Sequence, residues 1–285
     1  MTDTSNCTSV TPECPVKATS YGYTPHLGGN LFLATLFGLC GLYSLAIGIK
    51  SRQWTFTIAL AGGCFIELAG YIGRILMHSN PWSAGGFDVQ IVCLIVAPSF
   101  IAAGIYWSLK HIVLYLGPEK SRLPPRFYPR IFIGCDIASI LIQAARGGIA
   151  VSASDNDSKK LDAGNNLMIA GIAFQVATMA ICGLLGADFA FRVYREGRSP
   201  RFEEKEEKKE ALLFKAFCVE EVFAYITVLI RCIYRLPEMA EGWANPLMRN
   251  ETEFMILDGV MVALAVVALT VLHPYFTCPF VRKEA

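Results

Sequence analysis

An all-α integral membrane protein of seven transmembrane helices, N-terminus outside and C-terminus in the cytosol, is predicted by three observations. Hydrophobic residues make up 54% of the 285 and charged residues only 17%, with a mean hydropathy of +0.43. A soluble domain carries a charged share nearer ~25%. Seven stretches are long and apolar enough for the ~20-residue helix that the hydrocarbon core requires. Lys and Arg collect on alternate connections, which sets an orientation.

Residues 1–26 are polar, with Ser, Thr and Pro throughout and no apolar core of a signal peptide. They are expected to form a short exposed arm, with the first span as its own insertion signal. That span, 27–49, has no Asp, Glu, Lys or Arg. The second, 53–77, carries Glu67 and Arg74. The third, 89–116, contains Pro98, which removes a backbone donor and should bend the helix. The fourth, 131–151, follows a proline-rich loop and holds Asp136, Gln143 and Arg146. The fifth, 167–191, includes Gln175 and Asp188; the sixth, 211–234, emerges from a charged run and carries Glu220, Glu221 and Arg231. The seventh, 254–276, contributes Asp258, and residues 277–285 form a short tail. The connections are too short for a separate soluble domain.

The turn at 50–52, the loops at 117–130 and 192–210 and the C-terminal tail hold fifteen Lys and Arg, against five on the N-terminal arm and the other loops. The positive-inside rule therefore places the N-terminus outside. Sequons at Asn6, Asn156 and Asn250 all fall on segments assigned to that side, where glycosylation is possible. Eight of the ten cysteines lie in spans or at the cytosolic end, as small packing residues do. Cys7 and Cys14 share the external arm, where a small disulfide loop is possible but its geometry is not fixed by sequence.

Ionisable residues in hydrocarbon cost at least ~2.5–3.5 kcal/mol each on insertion scales, so they normally face a partner or a wet cavity. Glu67, Gly70, Tyr71 and Arg74 recur at i, i+3, i+4 and i+7, one stripe of one helix. Glu67 and Arg74 are roughly 10 Å apart along that axis, so each is expected to meet another helix or a ligand. Asp136 and Gln143 share a face with Arg146 close to it, ahead of Gly147 and Gly148. Glu220 and Glu221 are followed by Arg231, Tyr234 and Arg235 on the sixth span, and Asp258 lies on the seventh. Any one of these can serve only to pin helix register. Together, on at least four helices, they imply a polar interior suited to an amphiphile headgroup, an ion or a signalling switch.

The same residues carry a resemblance. FIELAGYIGR at 65–74, APSFIAAGIYW at 97–107, GCDIASILIQAARGGI at 134–149, IRCIYRLPE at 230–238 and EFMILD at 253–258 resemble the RTA-like family of fungal seven-span proteins, the lipid-translocating exporters. The resemblance implies a plasma-membrane or endomembrane protein linked to resistance against toxic amphiphiles. Its implied cargoes are sphingoid long-chain bases, phospholipids, amino-sterols or, in one branch, porphyrins. Glu67, Gly70, Tyr71, Arg74, Asp136, Gln143, Arg231, Tyr234 and Arg235 carry over as motif positions. Arg146 departs from the family pattern, standing where a glycine is expected.

Three function classes compete. In a translocator, Glu67, Asp136 or the Glu220–Glu221 pair would receive a cationic headgroup, while Arg74, Arg146 and Arg231 would meet phosphate. No P-loop motif occurs, so ATP hydrolysis through one is excluded. A receptor or sensor has the right topology, but the proline-rich third loop and short tail offer little docking surface, and the third span lacks Asp-Arg-Tyr at its inner end. An intramembrane metal hydrolase needs converging histidines; His26, His78, His111 and His273 all lie away from mid-membrane. The expected partners are membrane lipids or amphiphilic small molecules, with no nucleic acid, cofactor or metal. Ala102, Gly104, Gly147 and Gly148 permit close helix packing in a monomer or an oligomer.

Overall fold

The computed structural model describes residues 7–19, 21–152, 158–195, 207–240 and 245–278, excepting the side chains of 146–152, 158–162 and 207–210. Among the described residues every regular element is helical. The long helices are α1 (Leu27–Ser51), α2 (Trp54–Ser79), α3 (Ala84–Leu116), α4 (Phe127–Ser152), α5 (Ser158–Arg195), α6 (Glu207–Ala240) and α7 (Glu251–Val271), followed by a short α8 (Pro274–Thr277). Six helices are long and apolar enough to cross a membrane: α1, α2, α3, Phe127–Ala145 of α4, Ala163–Arg195 of α5, and α7. α6 is long enough at 34 residues. Lys215, Glu220, Glu221, Arg231 and Arg235 fall too close together for it to reach the same apolarity.

The polarity of the bundle is inverted relative to a soluble domain. Leu31, Phe32, Leu39 and Leu42 of α1, Leu184 of α5, and Val219 and Val222 of α6 are each more than half exposed. Glu67, Arg74, Asp136, Glu220, Glu221, Arg231, Arg235 and Asp258 are buried. Water would favour the reverse distribution; hydrocarbon around the bundle favours this one.

Local sequence sets the helix ends. The His26 ring accepts from the Gly29 amide at 3.2 Å to cap α1. Ser83 caps α3 and Asn250 caps α7 through their side-chain oxygens. α1 and α2 are joined through Arg52, which takes a left-handed φ of 55° to reverse the chain in two residues. α7 stops at Val271 and does not run to 276. Pro274 lacks an amide hydrogen and disfavours helical backbone in the residue before it, so the chain restarts as α8.

α6 packs against α3, α5 and α7; α2 lies against α1 and α3, α1 also meets α7, and α4 lies against α3 and α5. The α2 and α3 backbones approach closely at Gly73, where a Cβ would lie 2.7 Å from the Gly86 carbonyl oxygen and 3.0 Å from the Gln90 amide. Both obstacles are backbone, so Gly73→Ala must push the helices apart at a cost of about 1–3 kcal/mol. Gly85→Ala faces no atom within 4 Å. Thermal melting should show a lowered midpoint for the first and little change for the second; equal midpoints would contradict this packing.

Candidate functional site

The polar interior is layered along the bundle axis. At one end the N-terminal segment folds over the helices, which corrects the expectation of an exposed arm. Its early part is exposed, but Tyr21 is buried and its hydroxyl accepts from Gln90 Nε2 at 2.6 Å. Trp82 Nε1 donates to the Cys14 carbonyl at 3.1 Å, Asn80 Nδ2 to the Thr8 carbonyl at 2.8 Å, and His78 Nδ1 lies 2.7 Å from the Pro25 carbonyl. A disulfide joins Cys7 to Cys14. Tyr21 and Tyr23 give this otherwise polar segment enough apolar surface to be held against the bundle.

Arg74 is the centre of this capped end. It is fully buried, with Nε donating to Asn30 Oδ1 at 2.8 Å and Nη2 donating to the Tyr23 hydroxyl at 3.2 Å and Glu251 Oε1 at 3.1 Å. Its guanidinium carbon lies 4.2 Å from the Phe254 ring centroid. Glu251 Oε1 also accepts from the His26 amide at 2.7 Å, so one carboxylate ties α7 to α2 and to the start of α1. Burial raises the Tyr21 and Tyr23 phenols above their ordinary value, outweighing the opposing pull of Arg74. Arg235 pairs with Glu238 at 2.7 Å at the same end, and Asn245 Nδ2 donates to the Glu238 carbonyl at 2.6 Å.

In the middle layer Arg231 of α6 joins three helices. Its Nε lies 3.0 Å from Asp258 Oδ1 of α7 and its Nη2 lies 4.0 Å from Glu67 Oε1 of α2. Nη2 also donates to the Leu94 carbonyl of α3. That carbonyl is available because Pro98, four residues on, has no amide hydrogen to give it. Asp258 sits in a π-helical segment, Met255–Val260, which widens α7 by one residue per turn at the junction. Tyr71 stacks on Phe37 with centroids 5.6 Å apart, and its hydroxyl stands 2.7 Å from where a Cβ on Gly259 would be. Gly70 admits Leu94, whose Cδ2 would be 2.7 Å from an added Cβ. Gly70 and Tyr71 therefore act here as packing positions beside the charged cluster.

Towards the other end lie Asp136 of α4 and the Glu220–Glu221 pair of α6, all buried. Asp136 is beside Tyr106, and Glu221 beside Ser108. Among the described residues no Arg or Lys pairs with any of the three. Gln143 donates to Ser139 Oγ at 2.9 Å, and Ser139 to the Gly171 carbonyl at 2.6 Å, so it belongs to the α4–α5 contact. Gln175 joins α5 to Ser99 of α3 at 2.9 Å.

The expected residues thus separate into an ion-paired half and an acid-rich half. Glu67, Arg231 and Asp258 come together, while Arg74, Arg235 and buried Tyr234 lie nearer the capped end. Arg74 and Arg231, expected to meet phosphate, are engaged by groups of their own chain. The side chain of Arg146, and Asn6 and Asn156, lie outside the described residues. Asn250 is exposed and its Nδ2 donates to Glu253 Oε1 at 2.7 Å. Sequence reading missed Asn30, Tyr21, Tyr23, Gln90, Glu238 and Glu251. Only Glu238 carried a readable signal, standing three residues after Arg235 on one helix face.

A family model described as RTA1-like protein matches residues 60–280, from within α2 to beyond α8. The sphingoid long-chain base transporter RSB1 of Saccharomyces cerevisiae is 34% identical over 281 residues, which cover 90% of this chain and 73% of that protein. Protein RTA1 of the same yeast is 26% identical over 292 residues, covering 93% and 88% respectively. Its protoporphyrin uptake protein 1 is 28% identical over 217 residues, covering 73% and 65%. No solved structure matches the chain.

Proposed function

This chain belongs to the RTA1-like family, and from that premise we propose that it moves cationic amphiphiles of the long-chain-base type across a membrane. The observation that carries this reading is the acid excess of the bundle interior. Asp136, Glu220 and Glu221 are buried with no cationic side chain against them among the described residues, whereas Arg74 and Arg231 are already engaged. A buried carboxylate without a counter-charge is costly, and an ammonium headgroup would supply both charge and hydrogen-bond donors. Among the described residues Arg74, Arg231 and Arg235 each already hold a carboxylate of the chain, which leaves a phosphate only the unbonded nitrogens of Arg74 and Arg235. Relatives named for transport of a long-chain base and for uptake of a porphyrin agree with transfer of an amphiphile and not with catalysis.

The working topology has α6 as a seventh span, the capped end outside and the protein in the plasma membrane. Support for α6 comes from its two faces. Val219, Val222, Ile226 and Ile233 face outward and are apolar, while Glu220, Glu221, Arg231, Arg235 and Glu238 turn inward. Asn250 then faces the secretory lumen during synthesis. An endoglycosidase shift that is reduced in Asn250→Gln is the expected result, and a glycan mapped to a 117–130 insertion would contradict the orientation.

The transport reading is tested in cells lacking their own exporter and loaded with radiolabelled long-chain base. Expression should speed loss of label relative to an empty vector, and Asp136→Asn should slow it several-fold. Equal loss with and without the protein would refute the proposal.

A further inference from the structure

Between α3, α5 and α6 lies a cavity of about 530 Å³, a size typical of small-molecule sites. α5 presents little bulk there: Gly183, Gly186 and Ala190 line it, with Gly186 facing Leu109 of α3 and Gly183 against Tyr225 of α6. On the α3 wall it runs from Ile105 to Leu116, about 17 Å at the helical rise, enough for much of a long alkyl chain. Its rim includes Val222 and Ile226 of α6, which are 58% and 47% exposed on the outer face of the bundle, so it opens sideways. Such an opening gives onto lipid.

One acid interrupts this apolar lining. Glu221 is 95% buried and lines the cavity, and among the described residues no cationic side chain pairs with its carboxylate. Ser108 stands beside it, which places the carboxyl nearer the Ile105 end than the Leu116 end. Glu220 adds a second acid immediately next to it on the chain. The Tyr225 hydroxyl does not serve Glu221, because it donates to the Met179 carbonyl at 2.8 Å.

We propose that this groove is the site where cargo enters from the bilayer, its alkyl chain lying between α3 and α5 and its ammonium on Glu221. The assignment rests on the transport reading above and adds the place, the route and the acceptor. A phospholipid tail matches the walls but leaves the carboxyl unanswered. An anionic amphiphile is repelled by the two acids. A single-chain primary amine satisfies both walls and acid, with three donors for the two carboxylate oxygens and Ser108.

The test uses the purified full chain in lipid nanodiscs and a long-chain primary amine bearing a photoreactive diazirine near its chain end. Labelled peptides are mapped by mass spectrometry beside an N-acylated, uncharged version of the same probe. The amine should label residues 105–116 and 183–194, and Glu221→Gln should reduce that labelling about tenfold, the scale of one lost charge-assisted hydrogen bond. Gly186→Leu, which leaves the acid in place and fills the groove, should reduce it as well. Labelling of the groove by the uncharged probe to the same extent, insensitive to Glu221→Gln, would make it an ordinary lipid crevice. If the wild-type protein moves the amine in vesicles but is labelled elsewhere, the groove is wrong and the transport reading stands. Absence of both movement and labelling would overturn the two together.

Discussion

Arg231→Met is expected to destabilise the bundle by about 3–5 kcal/mol, the cost of removing one partner from a buried ion pair. Three groups lose their counterpart at once. Asp258, 3.0 Å from the guanidinium, and Glu67, 4.0 Å away, become buried acids with no cation, and the Leu94 carbonyl becomes an orphan. The last loss is peculiar to this site, because Pro98 has already denied that carbonyl its helical donor. Adding Glu67→Gln and Asp258→Asn to Arg231→Met should recover much of the loss, since neutral amides can remain buried with fewer partners. Tryptophan fluorescence during thermal melting in detergent measures both variants. An unchanged midpoint for the single variant would show that Arg231 does not hold α2, α3, α6 and α7 together.

The second large effect is expected from Arg74→Gln. It removes the Tyr23 bond that holds the N-terminal segment, and the contacts with Asn30 of α1 and with Glu251 and Phe254 of α7, of which Glu251 also accepts from the His26 amide. Loss of a multidentate buried arginine of this kind is worth about 3 kcal/mol, or roughly a hundredfold in a local opening equilibrium. Hydrogen exchange at residues 21–29 should quicken by that order while exchange in α4 and α5 is little altered. Arg74→Lys should not restore protection, because an ammonium lacks the planar fork that reaches three acceptors. Glu251→Gln should act in the same direction but less, its carboxyl being 22% exposed and partly screened. Protection unchanged in Arg74→Gln would mean that Tyr21, the disulfide and the loop hydrogen bonds suffice to seat the segment.

These two sites show what sequence made legible. Hydropathy located the long helices but not all their ends: α5 begins at Ser158, well before 167, and α6 runs on to Ala240, past 234, because helices continue beyond their apolar stretch. The spacing from Glu67 to Arg74 correctly indicated partners on other helices, since two helical turns separate them. Which partners was not readable: Arg231, Asp258 and Glu251 are distant in sequence and meet only through helix order and rotation. The role of Pro98 was half visible. Its missing donor followed from chemistry, but the arginine that answers it comes from α6. Tyr21 and Tyr23 looked like residues of a polar arm because nothing local marks a segment that folds back. The π-helical turn at Asp258 left no signature in an apolar run, whereas Pro274 marks the break before it although the apolar run continues to Phe276. On α6 the same charges that point to an interior site lowered its apolarity, so the most informative helix is the one whose composition least resembles a span.

The most direct measurement of the central claim is movement of a long-chain primary amine in sealed liposomes containing only the purified protein. Its initial rate is compared with that of the N-acylated, uncharged analogue of equal chain length and with empty vesicles. The expected result is faster movement of the amine by about tenfold, lost in Glu220→Gln/Glu221→Gln protein whose melting is cooperative. Equal rates for both probes would contradict the cationic-headgroup account, and no movement of either would favour a sensor that alters lipid handling through other proteins.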